Sequence, residues 1–277
     1  MRRMLAALIT AVVVVLGLVA PAQADGLLPP LPTAPGDPPG ANDWSCAPTA
    51  DRPTPVILVH GTFGDRKHLL ERMSRKVKEA GFCVYSLDYG NRATEDVRVS
   101  AQQLKDFTQR VLDATGADKV SMVGHSQGGM MPRYYIKFLG GTDVVDDLVG
   151  IAPSNHGTNR TGSGGANAFS DLLGQLCRAC VQQSAGSAFL TELNAGDETP
   201  GDVSYTQITT RYDEIVVPHT SGYLAPGPNT TNLTIQDICR WDLSEHVLIP
   251  SSSTTIALTL DALTRQGPAR ADFPRRC

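Results

Sequence analysis

The 277-residue chain has no cluster of lysines and arginines interleaved with aromatics, and its formal charge is −4. A broad basic surface is therefore absent, and nucleic acid is excluded as a partner. There is no internal repeat and no long low-complexity tract, so the chain reads as a single unrepeated fold. His60 and His125 lack any spacing that would support metal binding, and no metal is expected. Cysteine is scarce and even in number: Cys46, Cys83, Cys177, Cys180, Cys239 and Cys277. Six cysteines in an exported chain suggest three disulfides, and among fifteen pairings the preferred set is Cys46–Cys83, Cys177–Cys180 and Cys239–Cys277. A redox role for the C-x-x-C at Cys177 is disfavoured, because it does not follow a strand of a βαβ unit.

Residues 1–24, MRRMLAALITAVVVVLGLVAPAQA, combine an arginine pair, a long apolar run and a small-residue end. That order predicts a signal peptide cleaved near Ala24, hence a secreted, extracellular protein. The competing reading is an uncleaved anchor, since the apolar run is nearly long enough to span a bilayer. Cleavage leaves about 250 residues, compatible with one large domain, and loss of Arg2 and Arg3 takes the formal charge to −6. Residues 25–45 are rich in proline and glycine and read as an extended arm before a catalytic domain at 46–277.

From TPVILVHG onward, apolar β-branched runs alternate with helical patterns. FCVYSLDYG, KVSMVGHS, VDDLVGIAPS, SYTQITTRYD and TNLTIQDIC complete six candidate strands. Helices are expected at 66–80, over SAQQLKDFTQRVLDATG, over GGMMPRYYIKFLGG and over TTIALTLDALTR. The alternation predicts an α/β fold with a mostly parallel central sheet and helices on both faces. In such a sheet the working loops lie at the carboxyl ends of the strands. Between the fourth and fifth strands lies an insertion at 155–200, where Phe169, Leu172, Leu173 and Leu176 recur at helical spacing after the run TGSGGAN. It reads either as a mobile lid over an apolar pocket or as a helix packed permanently on the core.

Gly124-His125-Ser126-Gln127-Gly128 matches G-x-S-x-G, between a β-branched strand and a helix. That context is what a nucleophile elbow requires: small residues let strand and helix approach, and the serine is held strained and exposed. A serine nucleophile needs a base and an orienting carboxylate, and in this architecture they follow it in the order acid, then histidine. Asp213 directly follows the fifth strand, and His246 lies in the next such loop. These are assigned as acid and base. Glu214 is the runner-up acid, with Asp237 and Asp242 weaker. His219 would share one loop with Asp213, and His156 precedes every candidate acid. The oxyanion needs donors, the backbone N–H of Gln127 beside the nucleophile and that of Thr62 in HGTFG, with Phe63 as the alternative. His60 and His125 adjoin the centre but read as histidines that brace loops by hydrogen bonding.

HGTFG, GHSQGGMMPRYYIKFLGG, IAPSNHGT, TRYDEIVVPHTSGYL and SEHV together make the chain resemble secreted actinobacterial lipases of the α/β-hydrolase superfamily, the class 2 lipases. The resemblance spans residues 50–265. It implies an α/β-hydrolase fold and hydrolysis of carboxylic esters, acylglycerols among them, through an acyl-enzyme and without a cofactor. It supports Ser126, Asp213 and His246, with Thr62 and Gln127 as oxyanion donors. Some related bacterial lipases carry a structural calcium ion, but no ligand set for one is identifiable here. The expected partner is a lipid or other carboxylic ester, met transiently at a lipid–water interface by a monomer. The rival readings are a secreted acyltransferase using the same triad and a non-catalytic binding protein on a hydrolase scaffold.

Overall fold

The computed structural model describes residues 36–67, 69–159, 176–275 and 277. The signal segment, most of the arm, and Phe169, Leu172 and Leu173 of the candidate lid helix lie outside the described residues.

Six strands, β1 (Val56–Val59), β2 (Val84–Ser86), β3 (Val120–His125), β4 (Val145–Ile151), β5 (Ser204–Thr209) and β6 (Thr230–Thr234), form one sheet. Their order is β2-β1-β3-β4-β5-β6, and every pairing is parallel. Among the described residues the helices are α1 (Glu71–Glu79), α2 (Val97–Thr115), α3 (Gln127–Phe138), α4 (Arg178–Gln182), α5 (Ala188–Asn194), α6 (Ile235–Ile238) and α7 (Ser253–Leu263).

Both faces of the sheet are covered, so its central strands are apolar on alternate residues of both kinds. Val56 and Leu58 point into a core with Met73 and Val77 of α1 and Leu258 and Ala262 of α7. Their neighbours Ile57 and Val59 enter the opposite core, with Leu104 and Val111 of α2 and Met130 of α3. Strand alternation thus divides one apolar run between two hydrophobic layers.

Several boundaries are tighter than the sequence reading, α1 beginning at Glu71 rather than 66 and β2 spanning only Val84–Ser86, and two differences have a visible cause. Helix α2 starts at Val97 rather than Ser100, because the Asp96 side chain accepts the Arg98 N–H and caps it; it ends at Gly116, whose φ of 67° is the left-handed cap expected of glycine. The sixth strand stops at Thr234, and Ile235–Ile238 turn helical. Ile235 and Ile238 both enter one core, and a spacing of three puts them on one side only in a helical turn.

Disulfides join Cys46 to Cys83, Cys177 to Cys180 and Cys239 to Cys277. The first fastens the segment before β1 to the start of β2, and the last ties the chain end to the residue after α6.

Candidate active site

Ser126 sits between β3 and α3 with φ 56° and ψ −123°, a conformation that side chains rarely adopt. Its N–H donates to the Ile151 carbonyl at 2.8 Å, which fixes the turn against the end of β4. The flanking glycines are required by close approach. A Cβ on Gly124 would stand 1.8 Å from the Gly128 carbonyl oxygen, and one on Gly128 would stand 2.2 Å from that of Val59.

The loop after β6 brings His246 Nε2 to 3.0 Å from Ser126 Oγ, and the loop after β5 brings Asp213 Oδ2 to 2.9 Å from His246 Nδ1. All three side chains are buried. Asp213 Oδ1 accepts the N–H groups of Ile215 and Val216 at 3.0 and 2.7 Å, so the carboxylate is fixed by its own loop. The other acids are engaged elsewhere. Glu214 accepts the main-chain N–H of His246 at 3.3 Å, Asp237 pairs with Arg211, and Asp242 receives the Ser252 hydroxyl. His156 is paired with Glu198 at 2.9 Å, which raises its pKa, while His219 opens the short 3-10 turn His219–Gly222.

His125 Nε2 donates to the His246 carbonyl oxygen at 2.8 Å, tying the His246 loop to the end of β3. His60 donates from Nδ1 to the Gly61 carbonyl and stacks on Tyr89. Burial lowers the His60 pKa, which keeps the ring neutral.

Thr62 and Phe63 are told apart by a contact from farther along the chain. The Phe63 N–H donates to the Arg92 carbonyl at 2.8 Å, and the Arg92 guanidinium donates to the Phe63 carbonyl. Arg92 belongs to a left-handed turn, Gly90–Ala93, in which all four residues have positive φ. The Phe63 amide is therefore engaged outside the cavity that Thr62 and Phe63 both line. The Thr62 hydroxyl donates to Gln127 Oε1 at 2.7 Å, and Gln183 Nε2 lies 3.0 Å from each of those two oxygens. Gln183 escaped the sequence reading, since nothing in the polar run QQSAG marks it.

Beside Ser126 and His246 opens a cavity of about 420 Å³, whose other walls include Phe63, Leu69, Ile215, Val216 and Val247. That size is in the range of small-molecule sites, which are mostly apolar with a few placed polar groups. The arrangement supplies a hydroxyl, a buried imidazole to take its proton, a carboxylate to orient the imidazole, and an apolar recess beside them.

Residues 53–254 match the family model described as Lipase (class 2). A triacylglycerol lipase of Pseudomonas fragi is 27% identical over 150 residues, 53% of this chain and 50% of that protein. One of Pseudarthrobacter phenanthrenivorans is 33% identical over 131 residues, 43% of this chain and 37% of that protein. The chain thus spans half or less of the length of these curated relatives. Among solved structures, Aspergillus fumigatus lipase B aligns with a TM-score of 0.71 at 23% identity, covering 86% of this chain and 57% of that one. The mature form of Bacillus licheniformis lipase BlEst2 aligns with a TM-score of 0.61 at 16% identity, covering 79% and 94%. At these identities the structural likeness establishes the α/β-hydrolase fold and nothing finer.

Proposed function

The chain belongs to the class 2 lipase family, and from that footing we propose that it is an exported serine ester hydrolase, a triacylglycerol lipase or carboxylesterase, working through an acyl-enzyme on Ser126. The observation that carries this reading is the unbroken line from Ser126 Oγ to His246 at 3.0 Å and from His246 to Asp213 at 2.9 Å. The three disulfides suit an oxidising, extracellular compartment.

In the proposed reaction His246 Nε2 takes the Ser126 proton as the oxygen attacks the ester carbonyl. Asp213 accepts from Nδ1 throughout, which holds the productive tautomer and stabilises the imidazolium. The Thr62 and Gln127 N–H groups hold the oxyanion, the second aided by the amino end of α3. Loss of one such donor typically costs about 3–4 kcal/mol of transition-state stabilisation. His246 returns its proton to the leaving alcohol, then activates water, which releases the carboxylic acid from Ser126.

The apolar walls at Leu69, Ile215, Val216 and Val247 favour an aliphatic acyl chain. A series of esters of increasing chain length, assayed below and above their solubility limit, separates a lipase from a short-chain esterase by a rate jump at the interface. Ser126→Ala is expected to abolish ester turnover and fluorophosphonate labelling while leaving the circular dichroism spectrum unchanged. Turnover retained by that variant in a clean preparation would overturn the assignment.

A further inference from the structure

We propose that Gln183 is a positioning residue for the oxyanion site, a clamp that sets the separation of its two main-chain donors. This rests on the ester-hydrolase reading above. The two residues assigned as oxyanion donors through their backbones, Thr62 and Gln127, are the same two whose side chains Gln183 holds. Its Nε2 lies 3.0 Å from Thr62 Oγ1 and 3.0 Å from Gln127 Oε1. Thr62 follows β1 and Gln127 opens α3, so the clamp joins two elements that carry the donors from different parts of the chain.

The polarity of the clamp is dictated from behind. Gln183 Nε2 also donates to the Ala179 carbonyl at 3.1 Å, and a carbonyl only accepts. The nitrogen end of the Gln183 amide is thereby fixed, and its oxygen receives the Ser154 hydroxyl at 2.8 Å. Gln127 must then present its oxygen, which accepts from both Gln183 and the Thr62 hydroxyl. This orientation pairs Gln183, Ser154 and the Thr62 hydroxyl and leaves Gln127 Nε2 buried without a partner; Gln183 is only 7% exposed and Gln127 fully buried, while Thr62 is half-buried. In a dry setting such a network resists rearrangement.

The clamp is itself anchored. Gln183 closes the carboxyl end of α4, whose first turn is crossed by the Cys177–Cys180 disulfide. The neighbouring Gln182 accepts the Val97 N–H at 2.8 Å and donates to Asp96 at 3.0 Å, while the Ala179 N–H donates to the Thr94 carbonyl. Gln183 is therefore braced against the start of α2, and Thr62 is held by something stiffer than its own loop.

Oxyanion donors act only in the transition state, so a displaced clamp should lower kcat and leave KM alone. Gln183→Met, which keeps the length and removes the donors, is expected to lower kcat on p-nitrophenyl esters roughly 10- to 100-fold, with KM within about twofold and fluorophosphonate labelling of Ser126 slowed in step. Gln183→Glu is expected to fall further, because it sets a negative charge beside the developing one. A merely structural role would not order the two variants this way. Should Gln183→Met fail to fold, Ser154→Ala, which removes the rear support alone, is expected to lower kcat about 3- to 10-fold at constant KM. A folded Gln183→Met that keeps kcat within about twofold, that changes KM alone, or that is no more active than Gln183→Glu overturns the clamp; so does an unchanged kcat in Ser154→Ala. A parent protein that neither turns over esters nor is labelled overturns the hydrolase reading beneath it, an outcome distinct from an active parent with unaffected variants.

Discussion

The two oxygens of Asp213 have separate duties toward His246. Oδ2 faces His246 Nδ1 at 2.9 Å, while Oδ1 is spent on the amides of Ile215 and Val216, which keep the carboxylate from turning. Asp213→Asn can satisfy only one side. If its amide oxygen stays on the two N–H groups, its NH2 faces Nδ1 and selects the tautomer in which Nε2 carries the proton. That tautomer cannot accept from Ser126. We expect kcat to drop on the order of 10⁴-fold at pH 8 with little change in melting temperature, measured as initial rates on a soluble ester.

The close approach at the nucleophile turn predicts a severe folding defect. A methyl at Gly128 would lie 2.2 Å from Val59 O and 2.4 Å from His60 O, both backbone atoms that cannot step aside alone. Gly128→Ala should lose about 3 kcal/mol or more of stability. Denaturant titration, or recovery in the soluble fraction, reads this directly.

Away from the site, Asp147 on β4 is buried and its pKa is pushed up to about 7, by burial first and by neighbouring Asp146 second, despite the Ser121 hydroxyl at 3.0 Å. The folded pKa lies above the unfolded value of 3.8. The unfolded chain therefore releases this proton more readily, and stability is lost as pH rises from near 4 to near 7. Asp147→Asn should raise stability by about 1–3 kcal/mol at pH 8.5, roughly 2–10 °C in Tm, and by little at pH 4. Thermal melts of both proteins across that range test the sign.

The disulfides should contribute unequally. Cys46–Cys83 and Cys239–Cys277 close loops of 37 and 38 residues, whereas Cys177–Cys180 spans only 3. On chain entropy the long ones are worth about 4 kcal/mol each and the short one about 2. Paired Cys→Ala variants should rank in that order in denaturant unfolding.

Much of this molecule is written in local patterns. The elbow glycines are legible because Gly124 and Gly128 flank Ser126 where strand gives way to helix, and chain order after the nucleophile singles out Asp213 and His246 as partners. The fold brings those three side chains within hydrogen-bonding distance. What stays illegible depends on contacts between distant segments. In the sequence Thr62 is preferred over Phe63 by position alone, and the contact of the Phe63 amide with Arg92 comes from a run of positive φ that Gly90 and Asn91 allow but that Arg92 and Ala93 do not announce. Gln183 lies in the insertion beyond its periodic stretch and acquires its meaning only beside Thr62 and Gln127. The helical turn at Ile235–Ile238 follows from the depth of one core, which a β-rich run such as TNLTIQDIC does not disclose.

The left-handed turn at Gly90–Ala93 has a consequence for how the chemistry is allowed to drift. It takes the Phe63 amide into a hydrogen bond with Arg92, and under the proposed function this would make it a selector between two adjacent amides. On the proposed assignment of Thr62 as donor, a differently wound segment there would release the Phe63 amide to compete for the same role, so this turn would hold a vote in the reaction.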